Sequence, residues 1–126
     1  MKILVIDDDD AIRRMIGKIL RSDGHEVLDA EDGKRGMSLF RKERPQIVVT
    51  DIIMPEQEGF ETIMAMRRDN PGVKIIAISG GASVGDLDVL KMAQLLGADE
   101  VIGKPFRADD LLGRVRALDA AVIEEP

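Results

Sequence analysis

Cysteine is absent from the 126 residues, which removes disulfides, thiol nucleophiles and zinc–thiolate centres from the possible chemistry. Its absence fits a reducing cytoplasm. Aromatic residues are three phenylalanines, with no tryptophan and no tyrosine, so no stacking platform for single-stranded nucleic acid exists. Lysine and arginine number 18 against 24 acids, and the resulting net charge of −6 argues against direct nucleic-acid binding. No apolar run approaches the length that spans a bilayer, and Met1-Lys2 passes straight into a short strand-like run ending in acids, unlike a signal peptide. No membrane association is expected. The single histidine, His25, opens a strand after a turn and is expected to be a surface residue rather than a catalyst. What is present is 44% hydrophobic and 33% charged, the balance of a folded chain rather than a disordered one. The length suits one domain with one core. With no repeat, low-complexity tract or linker, residues 1–126 are expected to form a single domain.

The most informative stretch is Ile47-Val-Val-Thr-Asp51-Ile-Ile-Met-Pro55. An unbroken β-branched run reads as a strand buried on both faces, as in parallel sheets. It stops at Asp51, and Pro55, which lacks an N–H, fixes the turn that leaves it. Carboxyl ends of strands are where open α/β sheets bind ligands. The plain alternative is that Asp51 caps the next element.

The same alternation runs through the chain. Lys2–Ile6 is a first strand running into Asp7-Asp8-Asp9-Asp10, whose later members can cap the following helix. That helix carries Ile12, Met15, Ile16, Ile19 and Leu20 at helical spacing and closes at Asp23-Gly24. His25–Ala30 is a second strand. The second helix presents Gly36, Met37 and Phe40 and ends at Arg44-Pro45. After the Asp51 strand a third helix turns Phe60, Ile63 and Met64 inward and stops at Asn70-Pro71-Gly72. Val73–Ile78 is strand four. A loop with Gly80, Gly81 and Gly85 follows, then a fourth helix with Asp86 as N-cap and Val89, Met92, Ala93 and Leu96 on one face, stopped by Gly97-Ala98. Val101-Ile102 is a short fifth strand leading to Gly103-Lys104-Pro105-Phe106. The last helix shows Ala108, Leu111, Leu112, Val115 and Leu118, and the polar tail Glu124-Glu125-Pro126 is expected to fray. Five strands alternating with five helices predict an α/β fold, a flavodoxin-like doubly wound (βα)5 with a five-stranded parallel sheet of order 2-1-3-4-5.

That order brings Asp7, Asp8, Asp51, Ser79 and Lys104 to one edge, each from a strand end. Carboxylates so close repel one another unless a cation lies among them, and oxygen-only donors suit a hard divalent ion, Mg²⁺ or Mn²⁺. A metal and Lys104 can neutralise phosphoryl oxygens, Ser79 can donate a hydrogen bond to a third, and Asp51 is left as an anionic nucleophile facing phosphorus.

These residues resemble the receiver domain of bacterial two-component response regulators, of the single-domain, chemotaxis-regulator-like kind. The likeness rests on Asp7-Asp8, on Asp51 with Met54-Pro55 and Gly59, on Ser79-Gly80 and on Lys104-Pro105-Phe106, in order across nearly the whole chain. It implies a cytoplasmic signalling switch without an output module, not a turnover enzyme. By this resemblance Asp51 is the phosphoacceptor, taking its phosphoryl group from a phosphohistidine on a sensor histidine kinase or histidine phosphotransfer protein. Asp8, Asp51 and the Ile53 backbone carbonyl would hold Mg²⁺, with Asp7 acting through water. Ser79 and Lys104 would meet the phosphoryl oxygens, and Lys104 would pair with Asp51 beforehand. Output is expected through the face of helix four, strand five and helix five, toward an unidentified protein. The chain departs from the family at Val101, usually aromatic or histidine, and at Ile53, often polar.

Other classes fit less well. A dehalogenase-like phosphatase wants a second acid two residues after its nucleophile, where this chain has Ile53. A flavodoxin-like cofactor carrier wants a phosphate loop after strand one, where four aspartates stand. A degenerate receiver that docks without phosphorylation would not need the five residues together.

Overall fold

Alternating apolar side chains in short β-branched runs can be buried only if both faces of the sheet are covered, and this governs the architecture. In the computed structural model, which describes residues 1–52, 58–79 and 85–124, five strands alternate with five helices. They are β1 (Lys2–Ile6), α1 (Asp10–Ser22), β2 (Glu26–Ala30), α2 (Gly33–Glu43), β3 (Ile47–Asp51), α3 (Glu58–Asp69), β4 (Lys74–Ser79), α4 (Gly85–Leu96), β5 (Glu100–Gly103) and α5 (Ala108–Glu124). All neighbouring strands are parallel and the sheet order is β2-β1-β3-β4-β5, as the sequence predicts. Among the described residues no helix is long and apolar enough to cross a membrane.

The two-residue period sorts each strand between two cores. Ile3, Val5, Ile47, Val49, Ile76 and Ile78 pack with Ile16 and Leu20 of α1 and with Leu111 and Val115 of α5. Leu4, Ile6, Val48, Ile75 and Ala77 pack with Phe40 of α2, Ile63 and Met66 of α3 and Ala93 of α4. Each fully buried aliphatic side chain contributes about 1.5–3 kcal/mol. The central strands therefore have no place for a polar group except at their ends.

Helix ends follow their local chemistry. Asp9 caps α1, its Oδ1 accepting from the N–H groups of Ala11 at 2.9 Å and Ile12 at 3.1 Å. Asp32 caps α2 through the Arg35 N–H at 2.7 Å. Gly97 closes α4 with φ +124°, a conformation open to glycine. Opposite it, Arg67 donates to the carbonyls of Gly97, Pro71 and Val73 and to Asp99 Oδ2, binding the ends of α3 and α4 to the start of β4. Asp23, at the end of α1, accepts two bonds from Arg116 of α5, and these hold its carboxyl below the usual range.

Several inward assignments are corrected. Met15, Met64 and Met92 were expected on buried faces but are exposed, and Ala108 is exposed as well. Each methionine adjoins a buried residue, and one residue is a 100° rotation, enough to leave a narrow stripe. On α3 the stripe runs from Ile63 to Met66, one turn on, so Met66 takes the place assigned to Met64. α4 begins at Gly85, which puts Asp86 inside its first turn instead of at the cap. His25 is not a surface side chain: it is only 7% exposed, with Nδ1 3.2 Å from the Met1 amino group. β1 and β2 start side by side, Lys2 opposite Glu26, and this pairing folds the ring under the chain terminus. The Pro55 turn, the Val89 side chain and the end of the tail lie outside the described residues.

Gly59, in the first turn of α3, lies against the backbone of Ile52: a Cβ there would fall 2.3 Å from the Ile52 carbonyl oxygen and 2.6 Å from its Cα. Gly59→Ala is therefore expected to destabilise by about 1–3 kcal/mol through overpacking. Urea unfolding at neutral pH measures this, and an unchanged midpoint would show that α3 can shift freely away from β3.

Candidate functional site

Strand register delivers the polar residues to one place. Ile6 pairs with Thr50, so Asp7, one residue on, arrives beside Asp51. Asp51 pairs with Ile78 and Ser79 with Gly103, which sets Lys104 just beyond Ser79. The backbone continues these ladders past the strands: the N–H of Ile52 donates to the Ile78 carbonyl at 2.9 Å, and that of Lys104 donates to the Ser79 carbonyl at 2.7 Å.

Asp7, Asp51 and Ser79 are buried, whereas Asp8 is exposed. One carboxylate oxygen from each of Asp7, Asp8 and Asp51 lies within 4.8 Å of the other two. The Lys104 ammonium donates to Asp7 Oδ2 at 3.1 Å and stands 3.6 Å from Asp51 Oδ2. The expected pairing of Lys104 with Asp51 is thus accompanied by a shorter one with Asp7. The other Asp7 oxygen accepts from the Asp9 N–H at 2.8 Å, and the Thr50 hydroxyl donates to the Asp51 carbonyl at 3.1 Å.

All five residues singled out from the sequence for their side chains therefore gather at the carboxyl edge. Three hard oxygen donors drawn together without nitrogen or sulfur ligands fit Mg²⁺ or Mn²⁺, with water completing the shell. The Ser79 hydroxyl is buried and has no hydrogen-bond partner among the described residues. An unsatisfied buried hydroxyl costs about 1–3 kcal/mol, a cost that an arriving acceptor would remove. Ile53, whose carbonyl was assigned to the metal, lies outside the described residues, as do positions 80–84. Val101 is half-buried against the core on the α2–α4 side.

Arg13 was missed in the sequence. Its Nη1 donates to the Asp7 carbonyl at 2.8 Å, its Nη2 to Asp10 Oδ1 at 2.5 Å and its Nε to Asp29 Oδ2 at 3.3 Å. The available signal was a base in the first turns of a helix, where the macrodipole favours acids.

The buried pairing gives Lys104 a share in folding besides any role toward a ligand. Lys104→Ala leaves Asp7 and Asp51 without their nearest ammonium and is expected to cost about 3–5 kcal/mol in the absence of divalent ions. Mg²⁺ should raise the melting temperature of this variant more than that of the unmodified chain, because the ion takes over the compensation. Equal Mg²⁺ shifts in the two proteins would show that Lys104 and the ion do not share these carboxylates.

Comparison with known proteins bears on the same arrangement. The family model of the response regulator receiver domain matches residues 3–116. The chain is 37% identical over 118 residues to a probable transcriptional regulator ycf27 of Porphyridium aerugineum, covering 93% of this chain and 47% of that protein. It is 35% identical over 119 residues to the response regulator MprA of Mycolicibacterium vanbaalenii, covering 94% and 50%. The chain thus spans about half the length of these curated relatives. Among solved structures, a CheY-like response regulator receiver domain protein from Methanospirillum hungatei superposes with a TM-score of 0.87 at 32% identity over 98% of both chains. NtrX from Brucella abortus matches with 0.86 at 29%, covering 98% of this chain and 28% of NtrX. The matched span, the sheet order and the acids gathered at the strand ends agree: the chain belongs to the response regulator receiver domain family.

Proposed function

We propose that Asp51 accepts a phosphoryl group from the phosphohistidine of a sensor kinase or histidine phosphotransfer protein in the cytoplasm, and that the phosphorylated domain controls a protein partner. The observation that carries this reading is the Asp51 carboxylate, buried with Lys104 3.6 Å away, at an edge where the buried Ser79 hydroxyl has no hydrogen-bond partner among the described residues. An Asp51 oxygen attacks phosphorus, a P–O bond forms, and the P–N bond breaks with its electron pair left on the imidazole nitrogen. Lys104 and Ser79 receive the transferred oxygens, giving charge-assisted bonds that the resting site lacks. Asp8 and Asp51 would hold Mg²⁺, with the Ile53 carbonyl and a water-mediated Asp7 joining them as the family resemblance implies. When bound, the ion supplies charge neutralisation for the phosphoryl oxygens. The chemistry is self-catalysed: uptake by Asp51 and later hydrolysis, with no turnover of a separate substrate.

The partner surface is the face of α4, β5 and α5. Its support is apolar exposure: Met92 at 47% and Leu95 at 82% stand on α4, one turn apart. Several relatives bear the names of transcriptional regulators, so transcriptional control, exerted through a partner rather than by this acidic domain on nucleic acid, is one output consistent with the reading.

Two measurements test it. Incubation with Mg²⁺ and a small phosphodonor, followed by peptide mass spectrometry, should place the phosphoryl group on Asp51. Full labelling of Asp51→Asn would sink the assignment. Beryllofluoride, a stand-in for the phosphoryl group, should raise amide hydrogen-exchange protection in the first two turns of α4. A response confined to α1 or α3 would place the output elsewhere.

A further inference from the structure

Asp8 differs from its neighbours in what holds it. Asp7 is buried against Lys104, and Asp9 is fixed as the cap of α1, but the Asp8 side chain is exposed. Its direction is therefore set by its backbone. The carbonyl to which Arg13 donates at 2.8 Å belongs to the peptide linking Asp7 to Asp8. Holding that oxygen fixes the peptide plane, and with it the bond from which the Asp8 side chain departs. The following peptide, from Asp8 to Asp9, is held as well: its N–H donates to Asp7 Oδ1 at 2.8 Å, so the planes on both sides of the Asp8 Cα are restrained. Arg13 is anchored in turn. Its backbone N–H bonds the Asp9 carbonyl at 2.9 Å, and its guanidinium reaches Asp10 and, on the end of β2, Asp29. Burial draws its pKa down, but the bonds and charges of Asp10 and Asp29 outweigh this and hold it above the usual arginine value, so the fork is permanently charged.

On these grounds we infer that Arg13 is a positioning residue of the cation site, orienting Asp8 through the Asp7–Asp8 peptide without touching the ion. The inference rests on the metal reading proposed above. Charge and geometry predict opposite signs here. As a nearby cation Arg13 would repel Mg²⁺, and its loss would tighten binding; as the clamp on the peptide plane, its loss weakens binding.

The test is Mg²⁺ titration of the full chain followed by amide NMR shifts, with the melting temperature of the metal-free protein recorded alongside. Arg13→Ala is expected to weaken Mg²⁺ about tenfold, the scale of groups that orient a ligand. Arg13→Lys, which keeps the charge and loses the fork, should weaken it severalfold. Arg14→Ala removes an exposed neighbouring charge and should bind Mg²⁺ at least as tightly as the parent. A purely structural role lowers the melting temperature of Arg13→Ala with affinity unchanged, and that result, or tighter binding, overturns the inference. If Arg13→Ala does not fold, Arg13→Lys decides by the same criterion. Asp8→Ala separates the two levels: loss of Mg²⁺ binding there with Arg13 variants unaffected defeats the Arg13 inference alone, whereas unchanged binding in Asp8→Ala defeats the metal reading and the inference with it.

Discussion

The Lys104 ammonium, 3.1 Å from Asp7 and 3.6 Å from Asp51, is the contact on which the carboxyl edge depends. Two carboxylates buried side by side repel each other and lose hydration, and neither is tolerable without a nearby positive charge. Their burial follows from the sheet. Apolar side chains on β1 and β3 fill both faces, so polar groups are confined to the strand ends, where the covering helices also exclude much of the water. One physical requirement, two covered faces, therefore produces both the core and the strained charge at its edge.

Around that contact the charges remain out of balance. Among the described residues three carboxylates gather with one lysine, and Arg13 is engaged with the Asp7 carbonyl, Asp10 and Asp29. The Ser79 hydroxyl is satisfied by no described residue. Surplus negative charge invites a divalent cation, and an unused donor beside a lysine invites an anionic oxygen acceptor. The two invitations are compatible only if cation and anion arrive at the same site, and a phosphoryl group bound beside Mg²⁺ meets that condition.

Much of this was readable in advance because the governing patterns are local. Ile47 to Thr50 read as a strand buried on both faces, and Asp9 is one of the acids expected to cap the first helix. The misassigned methionines share one cause. Met15, Met64 and Met92 are apolar and sit one residue from a buried position, and hydrophobicity alone does not say which side of a narrow stripe faces inward. Met66 lines the core because it lies one turn from Ile63. His25 is enclosed by the chain terminus, to which the pairing of β1 with β2 brings it from 24 residues away. The bond from Arg13 to the Asp7 carbonyl escaped notice because a backbone acceptor leaves no mark in composition or periodicity.

By itself the amino-acid sequence determined the succession of strands and helices, the parallel sheet and the identity of the acids, serine and lysine at the strand ends, since each depends on residue type and short-range spacing. Tertiary structure decided how those groups meet. Register between β1, β3, β4 and β5 set which atoms approach, made Asp7 the nearer partner of Lys104, buried Asp7 and left Asp8 exposed. These outcomes depend on distances between segments as many as 97 residues apart, and only the packed sheet, which allows each strand one register against its neighbour, specifies them.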